Sequence, residues 1–119
     1  MAKRGARAAP PPGPDEWDVL LHTSEAADGW EELCQAFPGP TWEAWVILRT
    51  RPTRPANPGR QHKLKLALKS RQIKGKALDQ WQYEVAGGAR IWYCPDPDAK
   101  KVYVTNAATG HPKQSEKKR

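Results

Sequence analysis

Three side chains suited to cutting a phosphodiester without a metal fall in the C-terminal half of this chain. Glu84 and Arg90 flank a double glycine in "QWQYEVAGGARIWYC" (80–94), and His111 follows in "NAATGHPK". Cleavage of this kind needs a base for the 2′-hydroxyl proton, a cation for the pentavalent phosphate, and an acid for the departing 5′-oxygen. Glu84 suits the first task. Arg90 suits the second, because the rigid guanidinium fork donates two hydrogen bonds to a phosphate at once. His111 suits the third, since histidine exchanges protons near neutral pH, and Lys113 beside it adds positive potential. Arg60, His62, Lys63 and Lys65 are candidate phosphate contacts upstream. Gln82 lies on the Glu84 strand, and Trp92 and Tyr103 offer ring faces on which an unpaired base can stack.

Whether Glu84 and Arg90 meet depends on the register of the strands around Gly87-Gly88. A two-residue turn pairs Ala86 with Ala89 and Glu84 with Ile91, which mixes a carboxylate with the apolar set. A bulged three-residue loop pairs Glu84 with Arg90. It gathers Trp81, Tyr83, Val85, Ala89, Ile91 and Tyr93 on one face and Gln82, Glu84, Arg90, Trp92 and Cys94 on the other. A one-residue slip inverts every side chain, so the clean separation favours the bulged register.

The surrounding elements follow from periodicity. "EWDVLLH" (16–22) reads as a short strand. "TSEAADGWEELCQAF" carries apolar residues at helical spacing, with Ser24 as candidate N-cap and Gly29 as a weak point. Pro40 suits the start of a second helix, on which Trp42, Trp45 and Leu48 share a stripe. Pro52, Pro55 and Pro58 then enforce an irregular passage. "HKLKLAL" (62–68) alternates like a strand or edge segment, and "KSRQIKGKALD" (69–79) reads as a loop. Strands at 80–86, 89–94 and 102–106 complete an α+β domain, β-αα-βββ: a helical hairpin packed on a small, mostly antiparallel sheet.

With 119 residues the chain suits one domain, here 15–113. Hydrophobic residues make up 38% and there are 12 prolines, which points to disordered tails at 1–14 and 114–119. Neither tail carries a signal-peptide core, and no segment is long enough to cross a membrane, so the expected location is the cytoplasm. The two cysteines lack metal-ligand spacing and read as reduced thiols, with Cys34 packed on its helix as a small apolar group. No zinc motif, phosphate-cradling loop or serine elbow is present, so no metal or small-molecule cofactor is expected. The formal net charge is +7, and Arg49 to Lys76 holds ten Lys/Arg with no Asp or Glu. Such segregation is an electrostatic footprint for a polyanion.

From Glu16 to Lys113 the order of elements resembles the RelE/ParE superfamily of bacterial toxins from toxin–antitoxin systems. "WQYEVAGGARIWYCPDPDAKKVYV" is similar to that family's strand-turn-"RLVY"-turn-strand signature, and "HKLK" to its basic Leu-Lys segment. The resemblance implies a RelE-like fold and a metal-free mRNA endoribonuclease working on the ribosome, silenced by a cognate antitoxin protein. It places the phosphate-contacting arginine at Arg90 and puts His111 near the C-terminal catalytic position. It departs at Gln82 and Glu84, where some members carry lysines, and it lacks the tyrosine several members have near the C-terminus. Two other readings stay open: a gyrase inhibitor of the ParE branch, for which Glu84 and His111 are incidental, and a non-catalytic RNA- or ribosome-binding module.

Overall fold

The computed structural model describes residues 3–8 and 10–110; His111, Lys113 and the expected tail at 114–119 lie outside them. The elements run β1 (Asp18–Leu21), α1 (Ser24–Ala36), α2 (Pro38–Thr50), β2 (Gln61–Lys63), β3 (Ser70–Ile73), β4 (Lys76–Asp79), β5 (Trp81–Ala86), β6 (Ala89–Asp96) and β7 (Lys101–Ala108). Five strands form one sheet in the order β1-β7-β6-β5-β2. The β1–β7 pair is parallel, and the other pairs are antiparallel. Two helices packed against a mostly antiparallel sheet make this an α+β fold, and no described helix is long and apolar enough to cross a membrane.

One face of the sheet is the helix-covered core. Trp81, Tyr83, Val85, Ala89, Ile91 and Tyr93 all lie there, with Val102 and Val104, against Ala27, Trp30, Leu33, Ala44 and Leu48. Gly29 sits where α1 crosses β7: a Cβ on it would collide with the Ala107 carbonyl, so the glycine permits this close approach. The N-cap is Thr23, one residue earlier than expected. Its hydroxyl accepts from the Ala26 N–H at 2.9 Å, and as a donor it reaches the Thr105 carbonyl at 3.3 Å. The second helix starts at Pro38, two residues before Pro40, where a missing N–H is harmless. Its buried face is Thr41, Ala44 and Leu48, not a tryptophan stripe. Trp42 is 61% exposed, and Trp45 is partly buried with its indole N–H on the Ala8 carbonyl. Thr41 faces the first helix, its hydroxyl donating to the Leu33 carbonyl at 3.0 Å.

Three further expectations are corrected. The 69–79 stretch is a hairpin, β3–β4, whose Ile73 and Leu78 cover Cys94, Tyr103 and Leu20 on the sheet's second face. The segment 62–68 splits into the short β2 and a 3-10 turn at Leu66–Leu68. The N-terminal stretch is laid along β1: Gly5 and Ala8 N–H groups donate to the Leu21 and Val19 carbonyls, and Arg7 pairs with Asp18 at 2.8 Å. That stretch satisfies the free edge of β1. Both cysteines are free thiols. Cys34 is exposed, whereas Cys94 is buried, its thiol pushed up to about 11 by desolvation.

Candidate functional site on the second face of the sheet

The β5–β6 hairpin decides what stands on that second face. Its pairs are Trp81–Tyr93, Gln82–Trp92, Tyr83–Ile91 and Glu84–Arg90, the bulged register. The irregularity differs in position from the expected one. The turn closes at Ala86–Ala89 with positive φ at Gly87 (33°) and Gly88 (97°), and the extra residue sits at Val85, between Glu84 and Ala86. Such a bulge frees backbone carbonyls. Arg60 satisfies them: its guanidinium donates to the Glu84 carbonyl at 2.8 Å and the Val85 carbonyl at 2.9 Å. It also lies 5.4 Å from the Tyr83 ring centroid. Arg60 therefore holds the bulge that brings Glu84 opposite Arg90.

Strand pairing lines up two rows on this face. Glu84, Arg90 and Ala108 form one. His62, Gln82, Trp92 and Asn106 form the other, one from each of β2, β5, β6 and β7. All four residues of the second row are partly exposed. The Trp92 indole N–H donates to Gln82 Oε1 at 2.9 Å, fixing the ring beside the amide. His62 Nδ1 stands 3.3 Å from the Lys63 carbonyl. A carbonyl only accepts, so Nδ1 carries the hydrogen in that contact and Nε2 is left as the open nitrogen. His62 is a diagonal neighbour of Glu84, roughly 7–8 Å away by strand geometry.

Arg90 and Glu84 make no ion pair with each other or with any other described residue. The guanidinium donates to the Gly88 carbonyl at 3.1 Å, and the residue is partly exposed. The described chain also ends beside this turn. A Cβ on Gly110 would meet Gly88 and Ala89, so the backbone passes directly over the glycine turn.

Other expected residues fall elsewhere. Lys63 is paired with Trp81 across β2–β5, on the helix side, and forms an exposed ion pair with Asp79 at 3.2 Å. Lys65 is exposed at the start of the 3-10 turn. Tyr103 is 4% exposed beneath the β3–β4 hairpin, its ring edge-on to His22 at 5.6 Å, so it offers no stacking surface beside Arg90. Asn106 was not singled out by sequence reasoning, because a second bulge, between Trp92 and Tyr93 relative to β7, sets its facing. His62 was taken only as an RNA contact; its place in the row depends on the β2–β5 register. Among the described residues no three His, Cys, Asp or Glu side chains gather as a metal site.

No family model matches this chain, and neither a curated protein nor a solved structure matches it.

Proposed function

We propose that the second face of the sheet binds single-stranded RNA and cleaves it as a toxin-like endoribonuclease, with mRNA on the ribosome as substrate. The observation that carries this reading is the pairing of Glu84 with Arg90, beside the His62–Gln82–Trp92–Asn106 row. A guanidinium and a carboxylate with no ion-pair partner among the described residues, an imidazole and an indole share one partly exposed surface. The +7 charge of the chain favours a polyanion.

In this reading Glu84 takes the 2′-hydroxyl proton and the 2′-oxygen attacks phosphorus. Arg90 holds the charge that builds on the non-bridging oxygens. The P–O5′ bond breaks, and a histidine returns a proton to the 5′-oxygen, leaving a 2′,3′-cyclic phosphate and a 5′-hydroxyl end. His62 is the described histidine in the row beside Glu84 and Arg90; His111, with Lys113, is the one the family resemblance names. Trp92 stacks a neighbouring base and Gln82 holds the indole in place. The order of elements, one strand, two helices and then antiparallel strands, supports a RelE-like fold, and with it a cognate antitoxin as protein partner and the cytoplasm as location.

The test is primer extension on mRNA after brief expression, together with cleavage of synthetic RNA in EDTA. Wild type cuts, and Arg90→Ala cuts about 10²–10³-fold more slowly, the usual loss for a removed oxyanion donor. His62→Ala and His111→Ala, made separately, identify the acid. RNA binding without cuts overturns the nuclease in favour of a docking module. A DNA-damage response without RNA cuts favours gyrase inhibition.

A further inference from the structure

A second concave feature lies at the opposite edge of the same sheet. A cleft of about 700 Å³ opens where the N-terminal stretch, the β1–α1 junction and the tip of the β3–β4 hairpin converge, lined by Arg4, His22, Lys74 and Tyr103 among others. Each wall is held independently. Gly5 and Ala6 are hydrogen-bonded to Leu21, which places Arg4 at the rim. Ile73 and Leu78 pin the hairpin, and Lys74 occupies its turn at φ 52°. The imidazole of His22 stands edge-on to Tyr103, with the rings 77° apart.

The charge in this cleft is mainly positive. Arg71, Lys74 and Arg4 all act on His22 and, after burial itself, depress its proton affinity. Glu25 of α1 is the carboxylate on the lining, and Tyr103 of β7 supplies a phenol. None of the three cations forms an ion pair among the described residues, in contrast to Arg7, Arg49, Lys63 and Lys76. Arg4 and Lys74 on the lining, with Arg71 acting on the ring from outside it, focus positive potential on whatever enters. A neutral imidazole in that position gains its proton once an anion offsets its neighbours.

We propose that this cleft is a phosphate-binding subsite, with Arg4 and Lys74 as its cationic ligands and His22 as a donor that becomes charged when the anion arrives. Its occupant is a backbone phosphate of the RNA strand whose scissile phosphate lies at Arg90; that half of the proposal rests on the RNA reading, whereas the anion site does not. β1 and β6 are separated by β7 alone, about 10 Å across the strands, and β1 ends opposite Val104 whereas Arg90 pairs with Ala108, so the two phosphate positions are also offset along the same sheet.

The experiment follows the His22 ring by NMR in the full chain, assigned by loss of its signals in His22→Gln. Inorganic phosphate is titrated first, then a short 2′-O-methyl oligoribonucleotide that cannot cyclise. The expected result is a saturable shift of His22 with phosphate and a rise in the pH at which the ring titrates. The combined Arg4→Gln and Lys74→Gln variant should weaken the response severalfold, and Lys74→Arg should retain it. Arg90→Ala should leave the phosphate response unchanged. No saturable shift with phosphate, or an unaltered one in the double variant, overturns the site. A response to phosphate but none to the oligoribonucleotide overturns RNA as the occupant and leaves the anion site standing.

Discussion

The two faces of the five-stranded sheet use the same strands for opposite purposes. On the helix side every position from Trp81 to Tyr93 in the alternating set is buried, and aromatic area does the work of folding. On the other side the alternate positions of those same strands carry His62, Gln82, Glu84, Arg90, Trp92 and Asn106, and Glu84 and Arg90 form no ion pair among the described residues. Part of this second face is closed by the β3–β4 hairpin over Cys94 and Tyr103; among the described residues the hairpin does not reach the part toward the glycine turn. The difference teaches where to look for function. Side chains whose loss leaves the core intact, yet which cluster in register, are free to meet a ligand.

That contrast can be broken or sharpened by substitution. The largest effect belongs to Trp81→Ala on the core side, which should cost about 3–5 kcal/mol in urea denaturation because it removes a ring stacked 6.3 Å from Tyr93. Ile73→Ala should cost about 2 kcal/mol or more, concentrated in the β3–β4 cover. Its signature is chemical: Cys94 should begin to react with a thiol reagent that modifies only Cys34 in the wild type. Gly29→Ala tests the α1–β7 approach through its sign. In an open helix this change stabilises by about 0.5–1 kcal/mol; against the Ala107 carbonyl it should destabilise by about 1–3 kcal/mol.

Acidification should give a smaller effect. Burial, then Arg71, Lys74 and Arg4, hold the proton affinity of His22 below its ordinary value, so the unfolded chain binds more protons than the folded one. The contribution of neutral His22 is present above the unfolded value of about 6.5 and is lost as pH falls through that value toward the depressed folded one. Thermal melts between pH 7.5 and 5 should show this decline, flattened in His22→Gln. The smallest change belongs to Arg90→Ala, whose melting should stay within about 0.5 kcal/mol of wild type. A cooperative melt with cleavage slowed about 10²–10³-fold keeps the two faces distinct; a collapsed melt would make Arg90 part of the framework.

Much of the fold was legible in the residues because it is written in local periods. The β5–β6 alternation is strong enough to specify both register and face, and the helices at 24–36 and 38–50 are marked by spacing and proline. The β3–β4 hairpin was not legible, since "KSRQIKGKALD" offers only Ile73 and Leu78 as apolar anchors and these make sense only against Cys94 and Tyr103. Likewise Trp42, Trp45 and Leu48 share a stripe by spacing, but the buried face of the helix is Thr41, Ala44 and Leu48. Tyr103 looked like a stacking platform until the hairpin covered it. Arg60 looked like a phosphate ligand until the Val85 bulge presented it with two carbonyls.

By itself the amino-acid order determined which side chains of the central hairpin face the core and that Glu84 and Arg90 stand opposite one another. A period of two residues sets both, and a slip would bury charge. Only the tertiary structure decided that His62 and Asn106 join them, that Tyr103 does not, and that Arg4, His22 and Lys74 share a cleft. Those neighbours come from segments far apart in the chain. Their meeting is set by sheet order and bulges, which no local pattern encodes.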